Sequence, residues 1–523
     1  MSGGRRRAVV IGAGIAGLAT AGLLKREGYD VTVLEARDDI GGRAGSWQRD
    51  GFRFDTGPSW YLMPQVFEHF FRLMGTSTAE QFELSPLDPG YRVFFEKHAD
   101  PLDILAGRER NIALFERIEP GAGRALSRYL DSARDTYRMA IDRFLYSTFA
   151  SMRRHLRPDV LRRLPRLTRL LMQPLDRHIA RRFRDPRLRQ VLGYPAVFLG
   201  SAPSQTPSLY HLMSHLDLDD GVWCPSGGFT SVIRSIARLA EHAGADIRTG
   251  CRVTGIVTDD GGAGARVTAV EYATADGGSG RVSADIVVSA ADLHHTETTL
   301  LPERLRTYPE RWWSTRNPGP GAVLVYLGVR GPLPQLAHHN LFFTEDWELN
   351  FDSIFVEPTT VPSPASVYVC KPSATDDTVA PGGYENLFVL IPVPADPAIG
   401  SGAENGAGDD DVETAADAAI RQIAAWAGIP DLEDRVVVRR TVGPAEFEHE
   451  LHAWKGGALG PAHTLRQSAF LRGTNRSAKV RGLYYAGGTT VPGIGLPMCL
   501  ISAELVVKRL RGDTTTTPLA EPL

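Results

Sequence analysis

The chain has 523 residues, of which 43% are hydrophobic and 23% charged, and its formal net charge is −3 at pH 7. This length is more than one simple core usually supports, so we expect at least two domains, and the slightly acidic balance argues against nucleic acid as a partner. The cysteines (Cys224, Cys251, Cys370 and Cys499) form no CxxC pair, so we expect a reducing cytosol and no metal ion.

The first predicted elements are a strand, a glycine turn, a helix and a second strand. Residues 8–11 (AVVI) suit a buried strand, and 12–17 (GAGIAG) form the turn. Gly12 permits the tight bend, Gly14 lets backbone approach a pyrophosphate, and Gly17 lets helix and strand pack closely. The helix start favours phosphate, and Glu35 at the end of the second strand can bind ribose hydroxyls. These features predict a dinucleotide site made of Gly12, Ala13, Gly14, Ile15, Ala16, Gly17, Glu35, Ala36 and Arg37.

A second glycine pair follows Glu35 in the pattern E-x5-GGR, at Gly41, Gly42 and Arg43. The two glycines admit close backbone contact, and the arginine can neutralise phosphate charge. This spacing resembles the FAD-binding signature of the flavin amine oxidase and carotenoid desaturase superfamily. Residues 55–62 (DTGPSWYL) resemble the stretch that approaches the flavin ring in that superfamily. The resemblance implies that Gly57, Pro58, Ser59 and Trp60 lie near the cofactor.

The middle of the chain continues the same domain. Residues 221–257 contain a Gly-Gly turn, a predicted helix and a predicted strand. The helix is amphipathic, because apolar residues recur in it at helical spacing. Val287 and Val288 suit a buried parallel strand. This block resembles the second portion of the superfamily's FAD domain, in which backbone near Val253 would meet the adenine. Residues 400–411 (GSGAENGAGDDD) are rich in glycine and acid, which predicts a mobile surface loop.

The last elements are a short strand with a glycine exit, 481–488 (RGLYYAGG), and a helix that follows 491–498 (VPGIGLPM). Gly487 and Gly488 would let backbone approach the ribityl and phosphate portion of FAD. The helix start at Gly495, Leu496 and Pro497 would place N–H donors near the pyrimidine edge of the flavin. Reduced flavin is negative at that edge, so donors and the helix dipole favour the acceptance of a hydride.

Together, these motifs resemble the bacterial-type phytoene desaturases over nearly the whole chain. The stretches that carry the resemblance are FDTGPSWYLMPQVFEHFFRLMG, SAADLHHTETTLLP, VYLGVRGPLP, YVCKPSATD, LRQSAFLRG and LYYAGGTTVPGIGLPM. The chain departs from many relatives in the wider superfamily at Thr489 and Thr490, where those have an aspartate. The resemblance implies noncovalent FAD, stepwise desaturation of phytoene toward lycopene by hydride transfer to flavin N5, and a quinone or dioxygen as electron acceptor.

The implied fold is α/β, with a discontinuous Rossmann-like FAD-binding domain and an α+β substrate domain. We expect the FAD-binding domain to comprise residues 1–100, 220–300 and 475–523. The substrate-binding domain would comprise 101–219 and 301–474. A helical, membrane-facing cap would lie around 144–200.

A membrane is the expected source of the substrate, because withdrawing a forty-carbon hydrocarbon from water is worth roughly 30 kcal/mol at about 0.8 kcal/mol per carbon group. No apolar run reaches the roughly 20 residues that span a bilayer. Residues 151–190 hold thirteen arginines and three aspartates with interleaved leucines, which suits an anionic lipid surface. We expect a cytoplasmic protein on the inner face of the cell membrane, with lipid contacts at Arg162, Arg163, Arg166 and Arg169. The alternative is a solvated cap whose arginines pair with acids.

The sequence does not name the catalytic acid or base. Candidates are His294, His295, Glu448, His449 and Glu450, which all lie in polar stretches. Three other functions stay open at this stage: a related carotenoid oxidoreductase that acts on another polyene, an amine or porphyrinogen oxidase, and a flavin-free lipid carrier of the GDP-dissociation-inhibitor kind. The intact glycine fingerprint, Glu35 and the GGR triplet weigh against the carrier.

Overall fold

The computed structural model describes residues 5–151, 158–259 and 264–523, with backbone alone for 158–162. The strands are β1 (Arg7–Ile11), β2 (Asp30–Leu34), β3 (Ser46–Arg49), β4 (Phe52–Asp55), β5 (Leu84–Pro86), β6 (Tyr91–Phe95), β7 (Leu102–Ile104), β8 (Trp223–Pro225), β9 (Asp246–Arg248), β10 (Cys251–Thr258), β11 (Val267–Thr274), β12 (Ser279–Ser283), β13 (Ile286–Ser289), β14 (Gly321–Arg330), β15 (His339–Phe343), β16 (Val367–Cys370), β17 (Tyr384–Val393), β18 (Val436–Val442) and β19 (Leu483–Tyr485). The helices are α1 (Ile15–Arg26), α2 (Pro64–Leu73), α3 (Thr78–Gln81), α4 (Arg108–Ile118), α5 (Ala122–Ala140), α6 (Pro158–Met172), α7 (Leu175–Ala180), α8 (Pro186–Gly193), α9 (Pro195–Phe198), α10 (Met213–Leu218), α11 (Gly228–His242), α12 (Leu293–Thr298), α13 (Glu310–Trp313), α14 (Trp347–Phe355), α15 (Asp410–Ala427), α16 (Pro444–Leu451) and α17 (Leu496–Arg511).

The folded molecule has two halves in space, each built around one large sheet. A five-stranded parallel sheet in the order β19-β13-β1-β2-β9 forms the centre of the first half. Its strands come from the beginning, the middle and the end of the chain. The predicted strands at residues 8–11 and at Val287 and Val288 are confirmed as β1 and β13, which pair in register from Ala8–Ile286 to Ile11–Ser289. Because both faces of a parallel sheet are covered, these strands read as continuous apolar runs.

The two faces of this sheet bury different layers. Ala8 and Val10 pack with the apolar sides of α1, α11 and α17. Val9 and Ile11 point the other way, into a cluster with Val253 and other residues of the antiparallel sheet β10-β11-β12. The alternation follows from the two-residue period of a strand. The parallel sheet therefore lies between a helical layer and a small antiparallel sheet.

A seven-stranded sheet, β18-β14-β17-β16-β15-β6-β7, forms the second half of the molecule. It is antiparallel except where β15 runs parallel to β6. One face of β14 packs on α15, and the other places Tyr326 against Phe54 of β4. The mixed α/β class and the α+β character of this half agree with the sequence prediction.

The predicted domain limits remain a prediction, but two observations bear on them. The five strands of the parallel sheet all fall within the three segments expected for the FAD-binding domain. In contrast, β6 lies before residue 100 and pairs with β15 of the other sheet. Local sequence patterns do not predict this strand pairing, because the partner strand lies about 250 residues away.

The region expected as a helical cap, residues 144–200, contains α6 to α9. Residues 152–157 of this region lie outside the described ranges. Among the described residues, helices that combine the length and the hydropathy of a bilayer span are absent. Contact of the cap with a membrane stays a prediction.

The glycine-rich stretch 400–411 is tied to β18, although its composition predicts a mobile loop. The Asn405 N–H donates to the Arg439 carbonyl at 3.0 Å, and the Thr441 N–H donates to the Ala403 carbonyl at 2.9 Å. A Cβ on Gly402 would lie 2.2 Å from the Thr441 backbone. The glycines here permit close backbone approach, and glycine composition alone does not separate that use from disorder.

Candidate cofactor site

The N-terminal glycine turn joins β1 to α1 in a tight bend. Gly12 has φ +92° and donates its N–H to the Leu34 carbonyl at 2.8 Å. A Cβ on Gly17 would lie 1.9 Å from the Gly12 oxygen, so helix and turn touch backbone to backbone. At Gly14 the nearest atom to such a Cβ would be 3.9 Å away. The turn is therefore closed on its protein side and open at Gly14, where α1 begins, as a pyrophosphate requires.

Glu35 lies directly behind this turn and is buried. Its carboxylate accepts the N–H of Ala13 at 2.6 Å and the N–H of Arg37 at 3.0 Å. Its backbone carbonyl accepts the Cys251 N–H at 2.7 Å, which brings the start of β10 and Val253 against the end of β2. Each carboxylate oxygen keeps a second lone pair for a hydroxyl donor. The predicted ribose and adenine residues thus come together at one edge of the sheet.

The GGR triplet packs on the glycine turn. Gly41 donates its N–H to the Ala13 carbonyl at 2.9 Å and has φ +112°. Arg43 donates from Nε to the Ala458 carbonyl at 3.0 Å, whereas its Nη2 is buried without a hydrogen-bond partner among the described residues. A buried guanidinium nitrogen without an acceptor fits an anionic ligand such as a diphosphate. The side-chain space at Gly57 is filled by the Arg43 carbonyl, only 2.2 Å from a Cβ there.

The segment after Gly57 turns away from the glycine motifs toward the seven-stranded sheet. Pro58 leads to Ser59, whose hydroxyl lies 2.6 Å from the hydroxyl of Tyr368. The Trp60 ring stacks on the His339 ring, with centroids 4.4 Å apart. Of these residues, Gly57 contacts the cradle around Arg43, and Trp60 joins an aromatic cluster of the second half of the molecule.

The C-terminal glycine segment meets the N-terminal turn directly. Gly487 has φ +117°, and a Cβ on it would lie 3.7 Å from the Cβ of Ala16. The Gly487 N–H donates to the Ser502 hydroxyl at 3.0 Å, which fixes the exit of β19 on α17. Two clusters about 470 residues apart in sequence therefore form one cradle.

Helix α17 begins at Leu496, with Gly495 as N-cap at φ +117° and Pro497 in the first turn, as predicted. The N–H groups of a first helical turn have no acceptor inside the helix. They carry the positive end of the helix dipole and can donate to an anionic ring edge. Gly488 precedes this turn and presents its carbonyl to Arg472 at 2.6 Å.

Arg472 is the residue of this site that the sequence reading missed. Its guanidinium is buried and donates to four backbone carbonyls rather than to an acid, namely those of Pro461, Gln467, Gly488 and Thr490. Burial lowers the pKa of Arg472 to about 10, so the group stays cationic at neutral pH. The only signal in the chain was its position in the LRQSAFLRG stretch. Arg472 is a buried cation that donates to two carbonyls of the C-terminal segment. It is therefore suited to stabilise negative charge in the cradle.

His463 fixes the segment that leads into α17. Its Nε2 accepts the Ile494 N–H at 3.1 Å, and its ring fills the side-chain space of Gly493, where a Cβ would lie 2.2 Å from Cε1. Its Nδ1 lies 2.9 Å from the Tyr210 hydroxyl. Because Nε2 accepts, Nδ1 carries the proton and donates to Tyr210. Burial holds the pKa of His463 well below its usual value, so the ring is neutral.

The five acid or base candidates do not gather in the cradle. Glu448, His449 and Glu450 are exposed on α16. His294 lies 3.0 Å from Glu310, and His295 stacks on His452 with ring centroids 4.0 Å apart. Burial and then His452 lower the pKa of His295 to about 4. The catalytic acid or base stays unassigned.

The comparisons with known proteins agree with this geometry. The profile of the family described as flavin containing amine oxidoreductase matches residues 15–511. A carotenoid 3,4-desaturase of Haloarcula japonica is 40% identical over 96% of this chain and 98% of its own. A zeta-carotene-forming phytoene desaturase of Myxococcus xanthus is 35% identical over 97% and 94%. Among solved structures, an oxidoreductase from Methanosarcina mazei (TM-score 0.63, 16% identity, 96% and 100% covered) and a putrescine oxidase variant (TM-score 0.60, 14% identity, 97% and 99% covered) share the fold.

Proposed function

Since the chain belongs to the flavin containing amine oxidoreductase family, as an FAD-dependent oxidoreductase of its carotenoid desaturase branch, we propose that it introduces double bonds into an acyclic carotenoid, phytoene, toward lycopene. FAD would supply the hydride acceptor at flavin N5, and a quinone or dioxygen would be the final electron acceptor. The residues named above would hold and orient FAD: the turn around Gly14 and Arg43 at the phosphates, Glu35 at a ribose, and the start of α17 at the ring.

One segment, residues 465–472, carries the substrate assignment. Its outer part is apolar and exposed: Leu465, Phe470 and Leu471 are 40%, 56% and 42% exposed. Its last residue, Arg472, is buried and holds the Gly488 carbonyl of the cradle. A surface that offers leucine and phenylalanine to its surroundings directly beside a cofactor cradle suits a hydrocarbon substrate that arrives from lipid.

The cap contributes a second set of exposed apolar side chains. Leu164, Leu171 and Met172 of α6 are 50%, 37% and 69% exposed. The Leu170 carbonyl accepts the Ser208 hydroxyl at 2.9 Å, and Tyr210, two residues on, donates to Ser468 at 3.1 Å. This chain of contacts links α6 to the 465–472 segment. We propose that both apolar sets dock on the inner face of the cell membrane.

Two arginines expected to touch lipid are engaged elsewhere. Arg163 lies 2.9 Å from Asp135 of α5, and Arg166 pairs with the same carboxylate and with Ser132. The side chain of Arg162 lies outside the described residues, and Arg169 is exposed. For Arg163 and Arg166 the alternative of paired arginines therefore holds. Membrane docking rests on the apolar residues more than on these charges.

Expression of the chain in cells that accumulate phytoene tests the proposed reaction. We expect chromatography of the extracted pigments to show lycopene or a partly desaturated intermediate, and much less of either product with the variant Gly17→Ala, which should bind FAD more weakly. A second candidate is desaturation of a different polyene, which the 40% identity to a carotenoid 3,4-desaturase favours. Unchanged phytoene with conversion of a more unsaturated carotenoid would select that candidate. Failure of yellow, FAD-loaded protein on both substrates would contradict both.

A further inference from the structure

A cluster of buried nitrogen and sulfur ligands lies outside the cofactor cradle, in the seven-stranded sheet. His339 at the start of β15 pairs in register with Cys370 at the end of β16, and His338 precedes β15. One ring nitrogen of each histidine and the Cys370 sulfur lie within 4.8 Å of one another, and the three side chains are buried. Cross-strand pairing thus brings together residues that are about 30 positions apart.

Both imidazoles are oriented as metal ligands usually are. The Nδ1 of His338 lies 2.8 Å from the Thr375 hydroxyl, and the Nδ1 of His339 lies 2.7 Å from the Tyr368 hydroxyl. Metal-binding histidines typically use one ring nitrogen for such a hydrogen bond and the other for the ion. The Nε2 of His339 is buried and has no hydrogen-bond partner within the described part of the chain. An unpaired buried nitrogen of this kind is costly unless a ligand engages it.

A cavity of about 40 Å³ adjoins the cluster. Its lining includes His338 and Cys370 from the second sheet, and Cys224 of β8 from the segment directly before α11. The charged side chains in the lining are Asp55, Asp376 and Arg53, with Arg53 3.5 Å from Asp376. Two carboxyl groups against one guanidinium favour a cation over an anion in this space.

We propose that His338, His339 and Cys370 bind one zinc ion where β15 and β16 pair, with a water molecule from the adjoining cavity as the fourth ligand. Three protein ligands and a water are a tetrahedral zinc arrangement that proteins use, with Zn–N of about 2.0–2.1 Å and Zn–S of about 2.3 Å. The Cys370 thiol gives its proton to solvent as the Zn–S bond forms, so its thiolate offsets one of the two positive charges of the ion. The spacing of the cysteines in the sequence hid this set, because its members come from two segments about 30 residues apart.

Zinc content of the full-length, FAD-loaded protein tests the site. After expression with added zinc and dialysis against metal-free buffer, we expect about one zinc per chain by mass spectrometry of the digested protein. Cys370→Ser and His339→Gln should each lower this at least tenfold. Cys251→Ser, which changes a buried cysteine of β10 in another core cluster, is the matched control and should keep its zinc.

Cobalt in place of zinc keeps the test decisive if a variant fails to fold. Wild-type protein loaded with Co²⁺ should show a thiolate-to-cobalt charge-transfer band in the difference spectrum against the zinc form. Wild type without zinc and without this band overturns the proposal, as does a Cys370→Ser variant that retains full zinc. FAD content is measured in the same samples, so loss of the metal site is distinguishable from failure of the cofactor site.

Discussion

At the scale of single residues, Gly17 is the most sharply constrained position of the cofactor turn. A methyl group there would lie 1.9 Å from the Gly12 carbonyl oxygen, far inside van der Waals contact, and 3.3 Å from the Ala290 Cβ. The conflict is with backbone, so a side-chain rotation cannot relieve it. The turn and α1 must separate, which displaces the N–H groups proposed to bind the phosphates.

We therefore expect Gly17→Ala to bind FAD at least tenfold more weakly and to lose about 1–3 kcal/mol of stability, as overpacked sites do. Gly382→Ala is the matched control, because a Cβ on Gly382 has nothing within 4 Å. The absorbance ratio of flavin to protein after gel filtration, together with chemical unfolding, measures both effects. Equal FAD content in the two variants would contradict the prediction.

Arg472 allows a prediction about flavin electrostatics. Its cation is buried beside the Gly488 and Thr490 carbonyls without an acidic partner among the described residues. Replacement by glutamine removes a positive charge that would stabilise reduced flavin. We expect the reduction potential of bound FAD in Arg472→Gln to fall by about 30 mV, equivalent to 1.4 kcal/mol for two electrons, with partial recovery in Arg472→Lys.

The control for this potential is Arg466→Gln, which changes an exposed arginine of the same segment. Spectroelectrochemical titration of FAD-loaded protein gives the midpoint directly. A purely structural role of Arg472 would weaken FAD binding without moving the potential of the fraction that remains bound. An unchanged midpoint in Arg472→Gln would therefore refute the electrostatic role.

At the scale of elements, the cap depends on histidines that are buried in the neutral form. His211, in the turn after α9, is 1% exposed; its Nε2 lies 2.8 Å from the Ser132 hydroxyl of α5, and its Nδ1 lies 2.8 Å from the Ser208 carbonyl. Its ring centroid is 5.2 Å from that of His178 of α7. Burial lowers the pKa of His211 to about 4, although its hydrogen bonds to backbone carbonyls raise the pKa in part.

Acid should therefore weaken the cap. Because the pKa of His211 is lower in the folded protein than the usual 6.5, the unfolded chain binds more protons between these values, and stability falls as pH decreases from about 6.5 toward 4. From pH 7 to pH 5 the loss from this residue is about 2 kcal/mol. His211→Gln should show a shallower pH dependence of the unfolding free energy, while His449→Gln, at an exposed site, should match wild type. Equal slopes in all three proteins would exclude this linkage.

At the scale of the whole molecule, two exposed apolar sets lie on α6 and on the 465–472 segment, and the turn at Ser208 and Tyr210 contacts both. Leu164 and Met172 project from α6, and Phe470 projects from the segment that ends at Arg472. The ring of Phe470 lies 6.4 Å from that of Phe149, which follows the π-helical turn Ile141–Leu145 by four residues. If the two sets dock together, as proposed above, one docking event would serve attachment and substrate uptake.

The double variant Leu164→Glu with Met172→Glu tests this proposed docking. We expect its sedimentation with anionic liposomes to fall at least tenfold, because burial of these side chains in lipid is worth about 1.5–3 kcal/mol each and glutamate adds repulsion. FAD content should stay the same. The matched control is Val437→Glu, an exposed apolar residue of the edge strand β18. Sedimentation equal to that of the control would rule out docking through α6.

The sequence was most informative where function and local structure share the same residues. The turn at Gly12, the strand at Val287 and the start of α17 at Leu496 all follow from short stretches, because glycine conformation, strand period and proline placement act over a few neighbours. The amphipathic helix α11 was predictable in the same way, since Val232, Ile236 and Ala240 recur on its buried face. These stretches also carry the flavin signature.

Other predictions failed or stayed open because they depend on distant contacts. Residues 400–411 are tied to β18 by the Asn405 and Thr441 backbone bonds, Arg163 and Arg166 pair with Asp135 of another helix, and β6 crosses into the seven-stranded sheet. Each of these depends on a partner that the local pattern does not contain.

The sequence alone indicated a flavoprotein of the carotenoid desaturase branch with a Rossmann-like cofactor fold, because the glycine fingerprint, Glu35 and the GGR triplet lie within about 30 residues and the other family motifs are short continuous stretches. Tertiary structure alone decided that Arg472 is a buried cation beside the cradle, that the Gly12 and Gly487 clusters meet, and that His338, His339 and Cys370 lie together. The reason is physical: charge burial and ligand geometry depend on distances in space, and folding sets those distances through contacts between residues hundreds of positions apart.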